Sequence, residues 1–500
     1  MMRASSYTIY VDLPDNREEM LLVHGYTGAY DRVSRRVATY VRSLEQRRPP
    51  RPLYGAWSPE PDVEGQIQTP SERAIETLRS RGYLTEMSPE QEEEHFEKLV
   101  TKLHDRQMRQ MPTYMIMPTY NCNLRCSYCF QDHMRTDSRF VHLLRTMQPA
   151  TVDRIFAAMI EIEAMHGING DGPRHRTIGF FGGEPLLEAS RPIVGYIIDK
   201  AFAQGAASFW AVTNGTELGA YEDLLSPKKI SALQVTIDGP PEEHDRRRIY
   251  ADGSGSYERI AHNIDMCLAR DVNISIRLNV DRTNIDHLPA MADDFCHRGW
   301  DKHPRFSVYP APIRAENKNT DAKSTFNTWE MDQALVELME IEPKMRVISR
   351  PDDAIKHHAR RIFKEPSTSI PSFKESFCSA HTRMYIFDSF SDIYACWDRT
   401  GDPTIRIGHV GDEGKVTLNT EVNTLWKSRT VASNPVCRRC RYALHCGGGC
   451  AILALSKTGK YNANFCDGYA SRFRENVAEA YLDHVHGLTL EEKSGRVCDQ

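Results

Sequence analysis

Cys122, Cys126 and Cys129 stand in the segment Met117-Pro-Thr-Tyr-Asn-Cys-Asn-Leu-Arg-Cys-Ser-Tyr-Cys-Phe, three thiols spaced by three and then two residues. Thiolates so spaced on one loop can hold three corners of an Fe4S4 cube, for which cysteine is the usual ligand. The fourth iron would have no protein ligand nearby, and an open metal position distinguishes a catalytic site from a structural one. Three buried cysteines, or part of a zinc knuckle, are the competing readings. Seven more cysteines follow late in the chain: Cys378, Cys396, Cys437, Cys440, Cys446, Cys450 and Cys466. The block Cys437-Arg-Arg-Cys-Arg-Tyr-Ala-Leu-His-Cys-Gly-Gly-Gly-Cys450 is too regular for chance, and on residue chemistry alone it suits either iron–sulfur clusters or tetrahedral zinc. Cys267, Cys296 and Cys498 fit no motif; Cys267 falls on a predicted helix and is expected to pack in a core.

The chain has 13 cysteines but no secretory h-region in MMRASSYTIYVDLPDNREE, and no apolar run nears a membrane span. Clustered thiols in such a chain read as metal ligands in a reducing, cytoplasmic compartment more than as disulfides. The 500 residues suggest roughly three domains. Hydrophobic residues at 40% and charged residues at 26% suit sizeable cores, and a net charge of −5, from 63 basic against 68 acidic residues, gives no nucleic-acid or membrane footprint. The charge runs Glu92–Glu94 and Arg246–Arg248 are expected on solvated faces.

The elements that must position the thiols alternate. Strands are predicted at Tyr114–Met117, Thr177–Phe181, Phe209–Thr213, Leu233–Ile237, Ile274–Val280 and Phe306–Val308, with helices at Thr151–Met165, Arg191–Ala203 and Tyr257–Ala269. Such βα alternation predicts a parallel sheet, and six units make an open, partial TIM-like (β/α)6 barrel of α/β class over 113–313. The Cys122 loop follows its first strand, at the end where α/β active sites sit. Before it, 1–90 reads as a small α/β module: strands Tyr7–Leu13 and Met20–His24, a helix Arg32–Leu44, a Pro-rich loop Pro49–Pro61 and a helix Ser71–Arg81. A charged helix, Glu92–Arg109, makes 91–112 a connector. After the barrel come a polar bridge, 314–370, with a helix Trp329–Ile341; a metal-organised unit, 371–475; and a tail, 476–500, around a helix Ser471–Val485.

The CxxxCxxC triad with an aromatic before its last cysteine, here Tyr128, resembles the radical S-adenosylmethionine (SAM) superfamily. That resemblance implies a 4Fe–4S cluster on Cys122, Cys126 and Cys129 whose open iron chelates SAM, and reductive cleavage to a 5′-deoxyadenosyl radical. Phe180-Phe-Gly182-Gly183-Glu184-Pro resembles the family's GGE motif, with Glu184 accepting the SAM ammonium and two glycines admitting a ligand close to the backbone. Thr213-Asn214-Gly215 falls where the family places polar groups against the ribose. Leu233-Gln-Val-Thr236-Ile-Asp238-Gly-Pro, followed by His244-Asp245 and Arg248, resembles a stretch in which Ser is usual at Thr236; Thr236 and Arg248 carry over as SAM contacts. Arg277 and Asn279 could face the same pocket or serve structure.

With that site upstream, the seven late cysteines resemble the SPASM domain of peptide- and protein-modifying radical SAM enzymes. By that resemblance Cys437, Cys440, Cys446 and Cys466 fully ligate one auxiliary 4Fe–4S cluster, and Cys378, Cys396 and Cys450 hold the other with one iron open, since 297–377 contains no cysteine. The family has Gly where Ser391 stands, so that turn is expected to differ. The strand and helix order of 5–85 resembles the winged-helix leader-recognition module of peptide maturases, which binds a leader as an added strand. Together these imply a maturase of a ribosomally made precursor peptide, reduced by flavodoxin or ferredoxin, that abstracts a hydrogen and installs a thioether or carbon–carbon cross-link. Removing 1–90 is then expected to abolish precursor binding and spare SAM cleavage. The rivals are a sulfatase-maturase-type enzyme acting on a folded protein, and a zinc-stabilised peptide-binding scaffold without catalysis.

Overall fold

In a computed structural model of the chain, residues 2–47, 50, 55–56, 59–63, 65–169, 174–315, 317–350, 352–364 and 373–487 are described. Most of Pro49–Pro61, the end of the tail and Cys498 lie outside them. Two compact units form. One holds Arg109–Pro351 with Arg383–Thr424; the other joins Met1–Met108, Asp352–Thr382 and Leu425–Gly495.

The first unit is built on a sheet of ten strands. Six lie parallel in chain order: Thr113–Ile116, Arg174–Phe180, Gly205–Thr213, Ile230–Ile237, Asn273–Val280 and Phe306–Pro312. Period-two alternation explains their placement. Leu233, Val235 and Ile237 are buried, as are Ile274, Ile276 and Leu278, each burial contributing roughly 1.5–3 kcal/mol. The alternate residues are polar or half-buried, and Tyr309 Oη donates to Gln234 Oε1 at 2.7 Å across the opposite face. The helices Pro149–Met165, Arg191–Ala203 and Tyr257–Leu268 match their predicted spans within two residues. Between the third and fourth strands there is only a short 3-10 turn, Leu218–Tyr221.

The sheet stays open. Met384–Phe387 extends it in parallel beside Thr113–Ile116, and three antiparallel strands, Asp392–Tyr394, Arg406–Val410 and Val416–Leu418, follow. Ser391, in the turn of the first hairpin, has φ of 69°. It holds the left-handed conformation that glycine takes without steric cost. The turn therefore has the backbone a Gly would give it.

In the second unit Thr8–Asp12, Glu19–His24 and Tyr30–Ser34 form an antiparallel sheet. The predicted helix Arg32–Leu44 is corrected: its first residues are the third strand, with Arg32 opposite Leu21, and the helix runs Arg35–Ser43. Ser34 is the cap, its side chain accepting from Val37 N. One core joins Ile9, Val11, Leu21 and Val23 to Phe473 and Val477 of the helix Tyr469–Val485. The solvated charge runs are corrected in part. Glu92, on the helix Pro89–Met108, is fully buried, bound by Arg3 Nη2 at 2.8 Å and by Ser6 N at 3.0 Å. Arg247 and Arg248 are also buried.

Candidate active site

The cysteine loop is held by the turn that follows the second parallel strand. Gly183 N donates to Thr119 O at 3.1 Å and Glu184 N to Asn121 O at 2.7 Å. A Cβ at Gly182 would stand 2.4 Å from Thr119 O, and one at Gly183 2.2 Å from Tyr120 O. The glycines thus admit the backbone of the cysteine loop itself. From the other side Arg125 N donates to Ile249 O at 2.8 Å.

Glu184 is buried, and burial lifts its carboxyl to about 7 against hydrogen bonds from Asn214 N at 2.5 Å, Thr213 Oγ1 at 2.7 Å and Leu186 N at 2.8 Å. Two of these reach Oε1 and one reaches Oε2. A carboxylate has about four acceptor positions, so Oε2 retains room for one more donor. Asn214 Nδ2 donates to Asn123 Oδ1 at 2.8 Å and lies 3.7 Å from Cys122 Sγ.

Tyr128 is a hub. Its hydroxyl donates to Asp238 Oδ2 and accepts from Arg248 Nη1 at 2.6 Å and Asn279 Nδ2 at 3.1 Å. Arg277 Nε in turn donates to Asn279 Oδ1 at 3.0 Å. Thr236 is buried two residues before Asp238. His244 and Asp245 serve the loop: His244 Nε2 meets Ser256 Oγ at 3.0 Å, and Asp245 Oδ1 accepts from Ser256 N and Tyr257 N at the start of the helix Tyr257–Leu268. Asp238 and Arg135 carry no individual signature in the sequence beyond Asp238's place before Gly-Pro.

The site's chemistry suits an anionic cluster. Burial raises the thiols of Cys122 and Cys126, the latter to about 12, and each thiolate would repel the others. Bound iron removes that opposition, because a coordinating thiol is deprotonated outright. Two guanidinium groups attend them. Arg135 Nη2 donates to Cys129 Sγ at 3.1 Å, and the charge of Arg248 favours the Cys126 thiolate. Arg135 Nε and Arg248 Nε are buried with no hydrogen-bond partner among the described residues. A cavity of about 390 Å³ opens beside this loop, lined by Phe130, Gln131, Met134 and Phe140 on one wall and Asp398 and Thr400 on the other.

The second unit gathers six of the late cysteines. Burial raises Cys437, and Cys440, Cys446 and Cys466 are near enough to raise it further. Burial raises Cys378 as well, and Cys450 is near enough to raise it further. Cys396 belongs to the first unit, two residues past the strand Asp392–Tyr394. Among the described residues no three His, Cys, Asp or Glu side chains are arranged around a single metal ion, whereas a cube places each thiolate on its own iron. Cys267 is buried in the helix Tyr257–Leu268. No described helix is long and apolar enough to cross a membrane.

Comparison with known proteins agrees with this geometry. Residues 116–295 match the family model of the radical SAM superfamily. Residues 116–295 thus carry a radical SAM domain, a superfamily whose members use S-adenosylmethionine and a 4Fe–4S cluster. Among the chain's relatives, a cysteine-type anaerobic sulfatase-maturating enzyme of Clostridium novyi is 20% identical over 377 residues, 72% of this chain and 93% of its own. A GTP 3′,8-cyclase of Chlorobaculum tepidum is 27% identical over 194 residues, 38% of this chain and 52% of its own. The solved structure of native anSMEcpe with bound AdoMet and Cp18Cys peptide has the same fold, with a TM-score of 0.53 at 18% identity over 75% of this chain and 99% of its own.

Proposed function

We propose that this enzyme matures a ribosomally made precursor peptide, installing a thioether or carbon–carbon side-chain cross-link. The observation that carries the reading is the second unit, where one fold combines a three-stranded module with the cysteines Cys378, Cys437, Cys440, Cys446, Cys450 and Cys466. The strand Tyr30–Ser34 pairs on one side only among the described residues, so its free edge can take a leader peptide as an added strand. The six cysteines there suit auxiliary 4Fe–4S ligation, which would supply an acceptor for the electron a substrate radical must lose as the new bond forms. The bound peptide in the anSMEcpe structure supports a peptide substrate.

When bound, the SAM-site cluster and SAM supply hydrogen-atom abstraction, with flavodoxin or ferredoxin as reductant. The chain's residues hold the partners. Cys122, Cys126 and Cys129 ligate the cluster, leaving one iron for SAM. Glu184 Oε2 accepts the SAM ammonium, and Asn214, Thr236 and Arg248 line the remainder of its site, while Tyr128, Thr213, Gly182 and Gly183 keep these groups in register. Because burial holds the Glu184 carboxyl at about 7, its charged fraction falls as pH drops through neutrality. SAM is therefore expected to bind about tenfold more weakly at pH 6 than at pH 8. Equilibrium dialysis against the clustered, reduced or oxidised protein checks this, and a Glu184→Gln variant should lose the slope.

The cavity between Phe130 and Asp398 is large enough for a substrate side chain beside the cluster loop. Phe140→Trp, which narrows it, is expected to raise KM for the peptide about tenfold and to leave peptide-free SAM cleavage unchanged. Steady-state assays with and without peptide separate the two.

The function is tested by anaerobic incubation with SAM, reductant and any short precursor peptide found encoded beside this chain's gene. Loss of two hydrogen atoms, with fragmentation blocked between the joined residues, is the expected mass-spectrometric result; no change in the peptide overturns the reading. A second reading, oxidation of a folded sulfatase, is favoured by the long match to the Clostridium novyi enzyme. An aldehyde product that reacts with a hydrazide would select it.

A further inference from the structure

Arg429 is only 4% exposed, yet among the described residues no carboxylate is within ion-pair distance of it. Its guanidinium donates to Tyr461 O at 2.7 Å, Ala463 O at 3.1 Å and Gly448 O at 3.4 Å, and it meets His381 Nε2 at 3.3 Å. His381 is no counter-charge: its Nδ1 proton reaches Trp426 O at 3.0 Å and its Nε2 faces the Arg429 donor, which leaves the ring neutral. Arginine does not give up its proton in proteins, and a buried charge without an opposite charge is strongly unfavourable. Neutral dipoles alone therefore surround a permanent cation.

The groups around it say what is missing. Gly448 lies between Cys446 and Cys450, Ala463 precedes Cys466 by three residues, and His381 N donates to Cys378 O at 3.2 Å. A Cβ on Gly448 would lie 3.6 Å from Cys437 Sγ. The guanidinium thus stands among ligand segments from both cysteine groups, and its charge acts on Cys378, Cys437, Cys446 and Cys450. Lys427, two residues earlier, is buried as well and donates to Ala380 O at 3.4 Å.

Granted the auxiliary clusters proposed above, we infer that Arg429 is their shared counter-charge, a positioning residue that raises their reduction potentials and so makes them able to accept an electron from the substrate. Reduction adds one negative charge to a cluster. A fixed cation beside it stabilises the reduced form more than the oxidised one, and in a buried site salt screens little of this.

The test is potentiometry, followed by electron paramagnetic resonance, on the full chain reconstituted anaerobically. Iron and sulfide are counted first in the unaltered protein. A count matching the SAM-site cluster alone defeats the auxiliary clusters and this inference with them. With three clusters present, Arg429→Gln is expected to shift an auxiliary reduction equilibrium at least tenfold toward the oxidised form, about 59 mV for one electron, and to leave the SAM-site cluster unmoved. Arg429→Lys, which keeps the charge without the planar fork, should retain most of the original potential. Full iron loading with unchanged auxiliary potentials in Arg429→Gln overturns the role of Arg429 and leaves the clusters standing. Should that variant fail to load, Arg429→Lys decides: a tenfold shift there, with its charge intact, also overturns the inference.

Discussion

Cys126→Ala abolishes SAM cleavage. Iron bound to the protein falls by one cluster, the charge-transfer absorption weakens in proportion, and 5′-deoxyadenosine formation drops by at least about a thousandfold, since an enzyme deprived of the cofactor that does its chemistry loses most of a ~10⁶-fold or larger acceleration. The effect is local. Cys126 is buried among groups that fix the loop independently of its sulfur: Arg125 N on Ile249 O, Glu184 N on Asn121 O and the Tyr128 hydroxyl on Asp238. Removing one sulfur leaves these in place, so the thermal midpoint of the apoprotein should move little. Cys267→Ala is the contrast. That thiol is equally buried but packs within the helix Tyr257–Leu268, far in sequence from any motif. Its loss should cost about 1 kcal/mol of stability and no cluster. Iron analysis, 5′-deoxyadenosine assays and thermal melts on both variants check the pair. Retained cleavage in Cys126→Ala would remove Cys126 from the ligand set.

Much of this site is legible in sequence because its ligands are local. Cys122, Cys126 and Cys129 occupy one loop, and Glu184 follows the neighbouring strand, so the spacing of the thiols and the resemblance of Gly182-Gly183-Glu184 to the family's motif mark them. Strand positions are equally readable, since runs such as Leu233–Ile237 bury every second residue. What escapes has two causes. Arg135, six residues from Cys129, sits on the four-residue helix His133–Thr136, too short to show a periodicity, and Arg429 meets Gly448, Ala463 and His381 only after three segments fold together. Composition misleads at Glu92 and Arg248: an acidic run and a basic run look solvated, yet Arg3 pairs with one and Tyr128 with the other. The helix predicted over Arg32–Leu44 shows the same limit from another side. Arg32–Ser34 reads as helical by pattern, and pairing with Glu19–Leu21 makes it the end of a strand.

The second large effect concerns how the N-terminal module can be tested at all. Its strands do not form a separable appendage. Arg441, between Cys440 and Tyr442, is fully buried, with Nη1 donating to Thr8 O at 2.5 Å and Nη2 to Glu45 Oε1 at 3.1 Å. Gly25 leaves no room for a Cβ, which would stand 2.2 Å from Arg441 O, and Tyr7 Oη donates to Arg438 O at 2.6 Å. Deleting 1–90 would therefore strip Phe473 and Val477 of their core partners and expose the cysteine loop, so loss of peptide binding in that deletion could not be separated from unfolding. Arg441→Met is the sharper instrument. It retains volume and removes the charge, leaving Glu45 buried with Arg42 as its remaining partner. Breaking a buried pair in this way costs about 3 kcal/mol, toward the low end because that second arginine remains. At ~2–4 °C per kcal/mol, the unfolding midpoint should fall by about 6–12 °C. The same variant should lose iron from the Cys437 group while the Cys122 cluster and peptide-free SAM cleavage persist, because those ligands belong to the other unit. Arg32→Ala, which breaks only partly exposed ion pairs to Asp15 and Glu19, should cost less than about 1 kcal/mol. Calorimetry with iron analysis distinguishes the outcomes. A normal midpoint with a full complement of iron in Arg441→Met would mean that the module and the cysteine loop are energetically independent, and deletion of 1–90 would then become a fair test of leader recognition.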